Sequence, residues 1–269
     1  MRTESWKDRW HMPPSPFKLP KISGWQLRLF IRYIAFYLHR HFHALYFLNK
    51  TSFSSLEGWP VLVCLNHPAW WDPLLALYLS QRFFPKRNHY GPIAAEGLAK
   101  YRFFERLGFF GIDPQSRAGA SRFLQIGRAI SERADCALWV TVQGHFTDVR
   151  IRPVQIQTGV GHLAHRCERF AVLPLALEYA FWDERAPESF ACFGEPIFIA
   201  DGREKTPAEW TETFASALEK TEDLLASCVK SRQVEVFQPL LSGISGTGGI
   251  YDLWRAAKAF AQHKGAPSA

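Results

Sequence analysis

The sequence predicts an α/β fold with a mostly parallel central sheet flanked by helices, preceded by an N-terminal amphipathic helical segment suited to a membrane surface. Three observations lead there. Along residues 51–235, short apolar and β-branched runs alternate with segments whose apolar residues recur at helical spacing, the pattern of strand–helix–strand units. The strand-like runs are continuously apolar, as strands covered on both faces are. Residues 1–50 hold nine Lys/Arg against two Asp/Glu, whereas the remaining residues hold 23 of each sign, so the whole basic excess of +7 is N-terminal.

Taken in order, residues 1–23 form an extended lead-in punctuated by Pro13, Pro14, Pro16 and Pro20. Residues 24–50 carry a helical pattern. At about 100° per residue, Arg28, Arg32, His39 and His43 fall within roughly 60° of one another and leave most of the circumference to Leu27, Leu29, Phe30, Ile31, Tyr33, Ile34, Phe36, Tyr37 and Leu38. The cations are too frequent for a transmembrane span, so the expectation is an in-plane interfacial helix, or a helical hairpin broken near His39 to His43. A helix packed on the domain's own core is the plainer alternative. Nucleic-acid arms are polar and poor in aliphatics, so this aromatic-rich basic stretch points to an anionic lipid surface and away from nucleic acid. His39, His41 and His43 invite a metal reading, but no Cys or carboxylate lies close to complete a site.

The strand–helix alternation begins at Val61–Leu65, an apolar run that stops at Asn66-His67-Pro68, after which Pro73 to Leu79 resumes at helical spacing. A short strand at Ile93–Ala95, a helix at Gly97–Leu107, a strand from Phe109 ending at Asp113-Pro114 and a helix from Ala118 to Arg133 follow. Ala137–Val142 is the most β-like run, and it ends in the polar loop Gln143-Gly144-His145-Phe146-Thr147-Asp148. A helix at Gly159–Arg169 and strands at Phe170–Leu177 and Phe190–Phe193 come next, then an amphipathic helix from Thr206 to Lys230, with Glu209 at capping-box distance from Thr206. Residues 236–269 read as a Gly-rich hinge and a closing helix over Ile250–His263; the Gly-rich run follows no strand and lacks the Lys-Ser/Thr end of a phosphate loop.

Five cysteines (Cys64, Cys136, Cys167, Cys192 and Cys228) occur without any Cys-x-x-Cys and read as small buried hydrophobes in a reducing compartment. The first residues lack the apolar core of a signal peptide, so the expected location is the cytoplasmic face of the membrane, held peripherally.

The chemistry concentrates in the turn after the first domain strand. His67 and Asp72 stand five positions apart at the carboxyl end of a buried strand, where open α/β sheets build their sites. Imidazole can take a proton from a hydroxyl near neutral pH, and a carboxylate behind it fixes its tautomer. No Gly-x-Ser-x-Gly occurs, so the pair reads as a base that activates the substrate's own nucleophile. A helix-capping Asp beside a surface His is the bland alternative.

Four blocks, Asn66-His67-x4-Asp72, Gly111-Ile112-Asp113, Thr141 to Thr147 and Val172-Leu173-Pro174-Leu175, resemble in order and spacing those of the glycerolipid acyltransferase family, membrane-associated enzymes that acylate glycerol 3-phosphate and lysophosphatidic acid. The resemblance covers residues 60–200. It implies direct transfer of an acyl group from acyl-CoA or acyl-carrier protein to a lipid hydroxyl, with no other cofactor and no metal, His67 as general base and Asp72 as its orienter. Asn66, Gln143, Gly144, His145 and Pro174 are then expected around the substrates, with backbone N–H groups of the Gly144 loop as oxyanion donors; Trp70 and Trp71 stand at positions that vary in the family and either wall the acyl site, enter the interface or pack in the core. The departures are specific. The family's third block reads Phe-Pro-Glu-Gly-Thr-Arg-Ser, where this chain has Gln143 for the acid and Phe146 for the arginine, and Pro114 replaces the arginine that ends the second block. Those arginines are thought to hold the acceptor's phosphate; Arg117, Arg150 and Arg152 are near enough in sequence to compensate, or the acceptor's head group is not a bare phosphate monoester. A thioester or lipid hydrolase using the same dyad, and a catalytically silent lipid binder, stand as alternatives.

Overall fold

In a computed structural model the described residues are 18–246, and they form α1 (Gly24–His41), β1 (Ala44–Leu48), β2 (Val61–Leu65), α2 (Asp72–Phe83), β3 (Asn88–Ala94), α3 (Ala95–Lys100), β4 (Phe109–Ile112), α4 (Arg117–Ser131), β5 (Cys136–Thr141), α5 (Gly159–Arg166), β6 (Phe170–Ala180), β7 (Glu188–Phe193), β8 (Ile197–Ile199), α6 (Pro207–Ser231) and β9 (Gln238–Ser242). The strands make one nine-stranded sheet in the order β4-β3-β5-β2-β6-β7-β1-β9, with β8 paired to the start of β6. The run β4-β3-β5-β2-β6 is parallel throughout, β7 turns back against β6, β1 lies parallel to β7, and β9 closes the far edge antiparallel to β1. The α/β class and the mostly parallel sheet expected from the sequence are therefore present.

The period of two along each strand divides the core into two layers. Val61, Val63 and Leu65 of β2 join Ala171, Leu173 and Leu175 of β6 under Ile34 and Leu38 of α1 and Leu75 and Leu79 of α2. Leu62 and Cys64 face the other way, with Leu138 and Val140 of β5, against Phe123 and Ile126 of α4, Leu163 of α5, and Trp210, Phe214 and Leu218 of α6. Both faces of β2 are thus buried, which is why its five residues are all apolar. Helix α6 begins with the capping box expected at Thr206 and Glu209, each side chain meeting the other's backbone N–H. Four of the five cysteines are buried and the fifth is half-buried; all are free thiols.

Three expectations about boundaries need correction. The helix over residues 24–50 stops at His41, and no hairpin forms: Phe42 is extended, and Ala44–Leu48 enter the sheet as β1 between β7 and β9. The run Ala44-Leu45-Tyr46-Phe47-Leu48 is apolar on both faces and has a core layer on each side, so burial within the sheet prevails over a surface position. The hinge read from residue 236 onward contains β9, whose Pro239 is tolerated because β9 is an edge strand. The helix read over Gly97–Leu107 divides at Tyr101 into α3 and a 3₁₀ turn, Arg102–Leu107, ended by Gly108 at φ 102°. The closing helix at Ile250–His263, the end of the Gly-rich run and residues 1–17 of the lead-in lie outside the described residues. Among the described residues no helix is long and apolar enough to cross a membrane.

Candidate active site

Parallel order brings the ends of β2, β5 and β6 to one edge of the sheet, so the loops after them share a site. The loop after β2 supplies the dyad. His67 Nδ1 lies 2.7 Å from Asp72 Oδ2, and the same oxygen accepts the Ala69 backbone N–H at 2.9 Å. The other carboxylate oxygen accepts the Tyr179 hydroxyl at 2.6 Å. Asp72 is fully buried and sits in the first turn of α2, where the helix dipole favours negative charge. Burial, and then the Asp72 charge beside it, push the Tyr179 phenol well above its ordinary value, so the hydroxyl stays a donor. A carboxylate that already accepts from two other groups calls for a donor at His67 Nδ1, which leaves the Nε2 lone pair available.

The backbone of His67 is held from the loop after β5. Its N–H donates to Gln143 Oε1 at 2.7 Å, and its carbonyl accepts the Thr147 N–H at 3.0 Å. Asn66 is fixed just as firmly: its amide donates to the Leu177 carbonyl and accepts the Leu177 N–H, at 2.9 and 2.8 Å, continuing the β2–β6 ladder one step past Leu65. Asn66 and Gln143 were expected at the substrates. Both are buried with these polar atoms used inside the protein, so their observed work is to position His67.

Other expected residues divide similarly. Trp71 is half-buried against Tyr37, His41 and Phe42, tying α1 to the turn that carries the dyad, while Trp70 stays 61% exposed at its edge. Gly144 takes φ 75°, which turns the loop, but its N–H is spent on the Thr141 carbonyl. Among the described residues the N–H groups of His145 and Phe146, in the same loop, meet no backbone acceptor and are the ones left for the oxyanion role expected of this loop. Pro174 is inside β6, level with Cys64, packed toward Gly194 beneath α6, and does not reach the site. The compensating arginines do not converge on His67. Arg150 pairs with Asp148 on the surface; Arg152 turns to Glu222 and Asp223 of α6; Arg117 is exposed at the start of α4, whose preceding strand β4 is about 14 Å from β2 across the sheet. The Phe146 ring centroid lies 4.4 Å from that of the His67 ring.

Tyr179 escaped the sequence reading, though alternation along β6 places it on the same face as Leu175 and Leu177, with the only hydroxyl on that face near the strand's end. His39, His41 and His43 do not gather: His39 and His43 each bond a carbonyl at or near β9, of Ser242 and Ile244, and His41 bonds the Tyr37 carbonyl. Among the described residues no group of His, Cys, Asp and Glu is placed to hold a metal ion. No family model matches the chain, and no curated protein matches it.

Behind the dyad, Glu222 of α6 is 4% exposed, 2.9 Å from Arg152 Nη1 and beside the Asn66 side-chain amide. Burial pushes its carboxyl up to about 7, outweighing the pull of Arg152. A raised carboxyl binds its proton more tightly when folded, so its stabilising contribution is full below the unfolded value near 4.5 and is lost as pH rises through about 7. Glu222→Gln is expected to remove a stability loss on the order of 2–3 kcal/mol between pH 5 and 8. Urea denaturation of both proteins at the two pH values checks this; identical pH slopes would show that Glu222 carries no such term.

Proposed function

We propose that the protein is an O-acyltransferase that moves a fatty acyl group from a thioester, acyl-CoA or acyl-carrier protein, to a hydroxyl of a lysophospholipid or related glycerolipid, in phospholipid synthesis or remodelling at a membrane surface. The observation that carries this reading is the His67–Asp72–Tyr179 chain, which orients an imidazole at the carboxyl edge of the sheet and leaves its Nε2 without a hydrogen-bond partner among the described residues. The acceptor's O–H gives its proton to Nε2 as the oxygen attacks the thioester carbonyl. The C–O bond forms, the C–S bond breaks, and the departing thiolate takes the proton back from the imidazolium. The N–H groups of His145 and Phe146 are the candidate donors to the carbonyl oxygen.

An apolar rim supports a lipid acceptor. Trp70, Phe146 and Phe181, all 60% or more exposed, follow β2, β5 and β6 at the edge that carries the dyad. Helix α1 adds Trp25, Leu29, Tyr33 and Phe36, each more than half exposed and spaced at i, i+4, i+8 and i+11, beside Arg28, Arg32 and Arg40. Product analysis after incubation with acyl-CoA and acyl-carrier-protein donors and a panel of lysolipids and glycerol 3-phosphate tests the proposal: a new acyl lipid that depends on His67 supports it, free fatty acid alone favours a hydrolase, and vesicle binding without any product favours a silent lipid binder.

Phe146 at the family's arginine position leads to an acceptor whose head group is not a bare phosphate monoester. Phe146→Arg is expected to raise the preference for lysophosphatidic acid over neutral or zwitterionic lysolipids by about tenfold or more, the worth of one charge-assisted pair. Competition assays read this directly. A wild-type protein that already favours lysophosphatidic acid, with no change in the variant, refutes the assignment.

A further inference from the structure

Three acids on one face of α6 grip the loop that follows β5. Glu219, Glu222 and Asp223 stand at i, i+3 and i+4. Glu219 Oε2 accepts the Val154 N–H at 2.6 Å, and Asp223 Oδ1 accepts Nε and Nη2 of Arg152 at 3.0 and 2.6 Å. The other guanidinium nitrogen, Nη1, donates to the Val149 and Ile151 carbonyls and stands 2.9 Å from Glu222 Oε2. The loop's own carbonyls and Asp223 already hold Arg152, and Glu219 holds Val154. Anchoring the loop does not call for a third carboxylate.

Glu222 is also the costly member of the three. Asp223 is exposed and Glu219 half-buried, whereas Glu222 is buried. Taking a carboxylate out of water costs more than one ion pair generally returns, and an apolar residue of the same size would fill the place at lower cost. What sets Glu222 apart is its second neighbour, the Asn66 side-chain amide. Asn66 spends its oxygen and one N–H on Leu177, so a second amide N–H is left to offer. The carboxylate therefore stands between the two pieces of chain that build the site. One is Asn66, which leads directly into His67. The other is the loop after β5, whose Thr147 N–H meets the His67 carbonyl and whose His145 and Phe146 N–H groups are the oxyanion candidates.

We infer that the ionised Glu222 carboxylate is a positioning residue for catalysis, holding the Asn66 amide on one side and the Arg152 guanidinium on the other so that His67 and the loop after β5 keep their separation; the inference rests on the acyl-transfer reading of the dyad. The charges that face it are Arg152 from the loop and Asp223 on α6, while Glu219 of α6 and Glu178 of β6 face the same guanidinium. With its carboxyl titrating at about 7, Glu222 holds these groups above that pH and releases them below it.

Glu222→Gln keeps the shape and removes the charge, which separates position from packing. The test reads kcat and KM for transfer from hexadecanoyl-CoA to the best acceptor of a lysolipid panel at pH 8 and pH 5, with melting temperatures alongside. At pH 8 the variant is expected to lose about tenfold in kcat, the worth of one charge-assisted hydrogen bond, with KM unchanged and a melting temperature no lower than that of wild type. At pH 5 wild-type Glu222 also carries a proton, so the two kcat values are expected to converge. A merely structural role would move activity and stability together. Equal kcat at pH 8, the same ratio at both pH values, or a loss of kcat that follows a fall in melting temperature overturns the inference and leaves acyl transfer standing. If wild type turns over no donor, acyl transfer falls, and hydrogen exchange at pH 8 then judges Glu222. Exchange of the His67 and Thr147 amides about tenfold faster in Glu222→Gln, with the β4 amides unchanged, supports the positioning role, and equal exchange overturns it.

Discussion

His67→Ala is expected to lower the rate of acyl transfer by about 10²–10⁴-fold, the usual worth of a positioned general base, with little change in melting temperature. The asymmetry follows from placement: the ring is part-exposed and packs on Phe146, itself at the surface, so its loss empties no core, while its Nε2 is the group left free for a proton. Asp72→Asn is expected to cost a comparable factor by a different route. An amide at that position offers an N–H to Nδ1, which reverses the tautomer and puts the proton on Nε2, where the base should be. It also gives up charge at the start of α2 and two of three accepted hydrogen bonds in their present form, so a stability loss of about 1–2 kcal/mol should accompany it. Tyr179→Phe removes a donor to Asp72 but keeps the dyad, and a smaller loss, about tenfold, is expected. Steady-state assays with thermal melts on the three variants distinguish these roles. Wild-type turnover in His67→Ala would falsify the mechanism.

The dyad was legible in the sequence because it is local. His67 and Asp72 sit in one turn, and an apolar run on one side with helical spacing on the other fixes that turn at the end of a buried strand. What holds the dyad was not legible, because its partners arrive from 76 to 111 residues away: Gln143 on the His67 N–H, Tyr179 on Asp72 and Leu177 on Asn66. Composition gives no sign that an amide at Asn66 will stand in for a peptide group in the β2–β6 ladder. The fold shows the same division. Strands β2, β5 and β6 and helices α4 and α6 follow from period and caps, since their apolar faces are set by neighbours on both sides. Strand β1 was hidden because Phe42 to Leu48 continues the apolar density of α1 without a Gly or Pro break, and β9 because its Pro reads as a loop signal except on an edge.

Replacing Trp25, Leu29, Tyr33 and Phe36 together with Ser is expected to weaken binding to anionic vesicles by at least about 10³-fold, since each apolar side chain moved out of water contributes up to about 1.5–3 kcal/mol and the partial depth of an interfacial helix discounts the sum. The four are exposed on the side of α1 opposite Ile34 and Leu38, so the core should not register the change. With Arg28, Arg32 and Arg40 on the same exposed side, that binding is expected to depend on anionic lipid and on salt, with most of the electrostatic share gone at an ionic strength where the Debye length shrinks to about 3 Å. The consequence for chemistry is selective. The inner face of α1 still packs Tyr37 and His41 on Trp71, so the dyad keeps its geometry and turnover of a water-soluble short-chain acceptor should persist, while turnover of a bilayer-embedded acceptor should fall with vesicle binding. Parallel vesicle sedimentation and assays on the two acceptors make the comparison. Vesicle binding that survives the four substitutions would place the lipid contact elsewhere, and loss of both activities would mean that α1 acts on the site through Trp71 and not through the membrane.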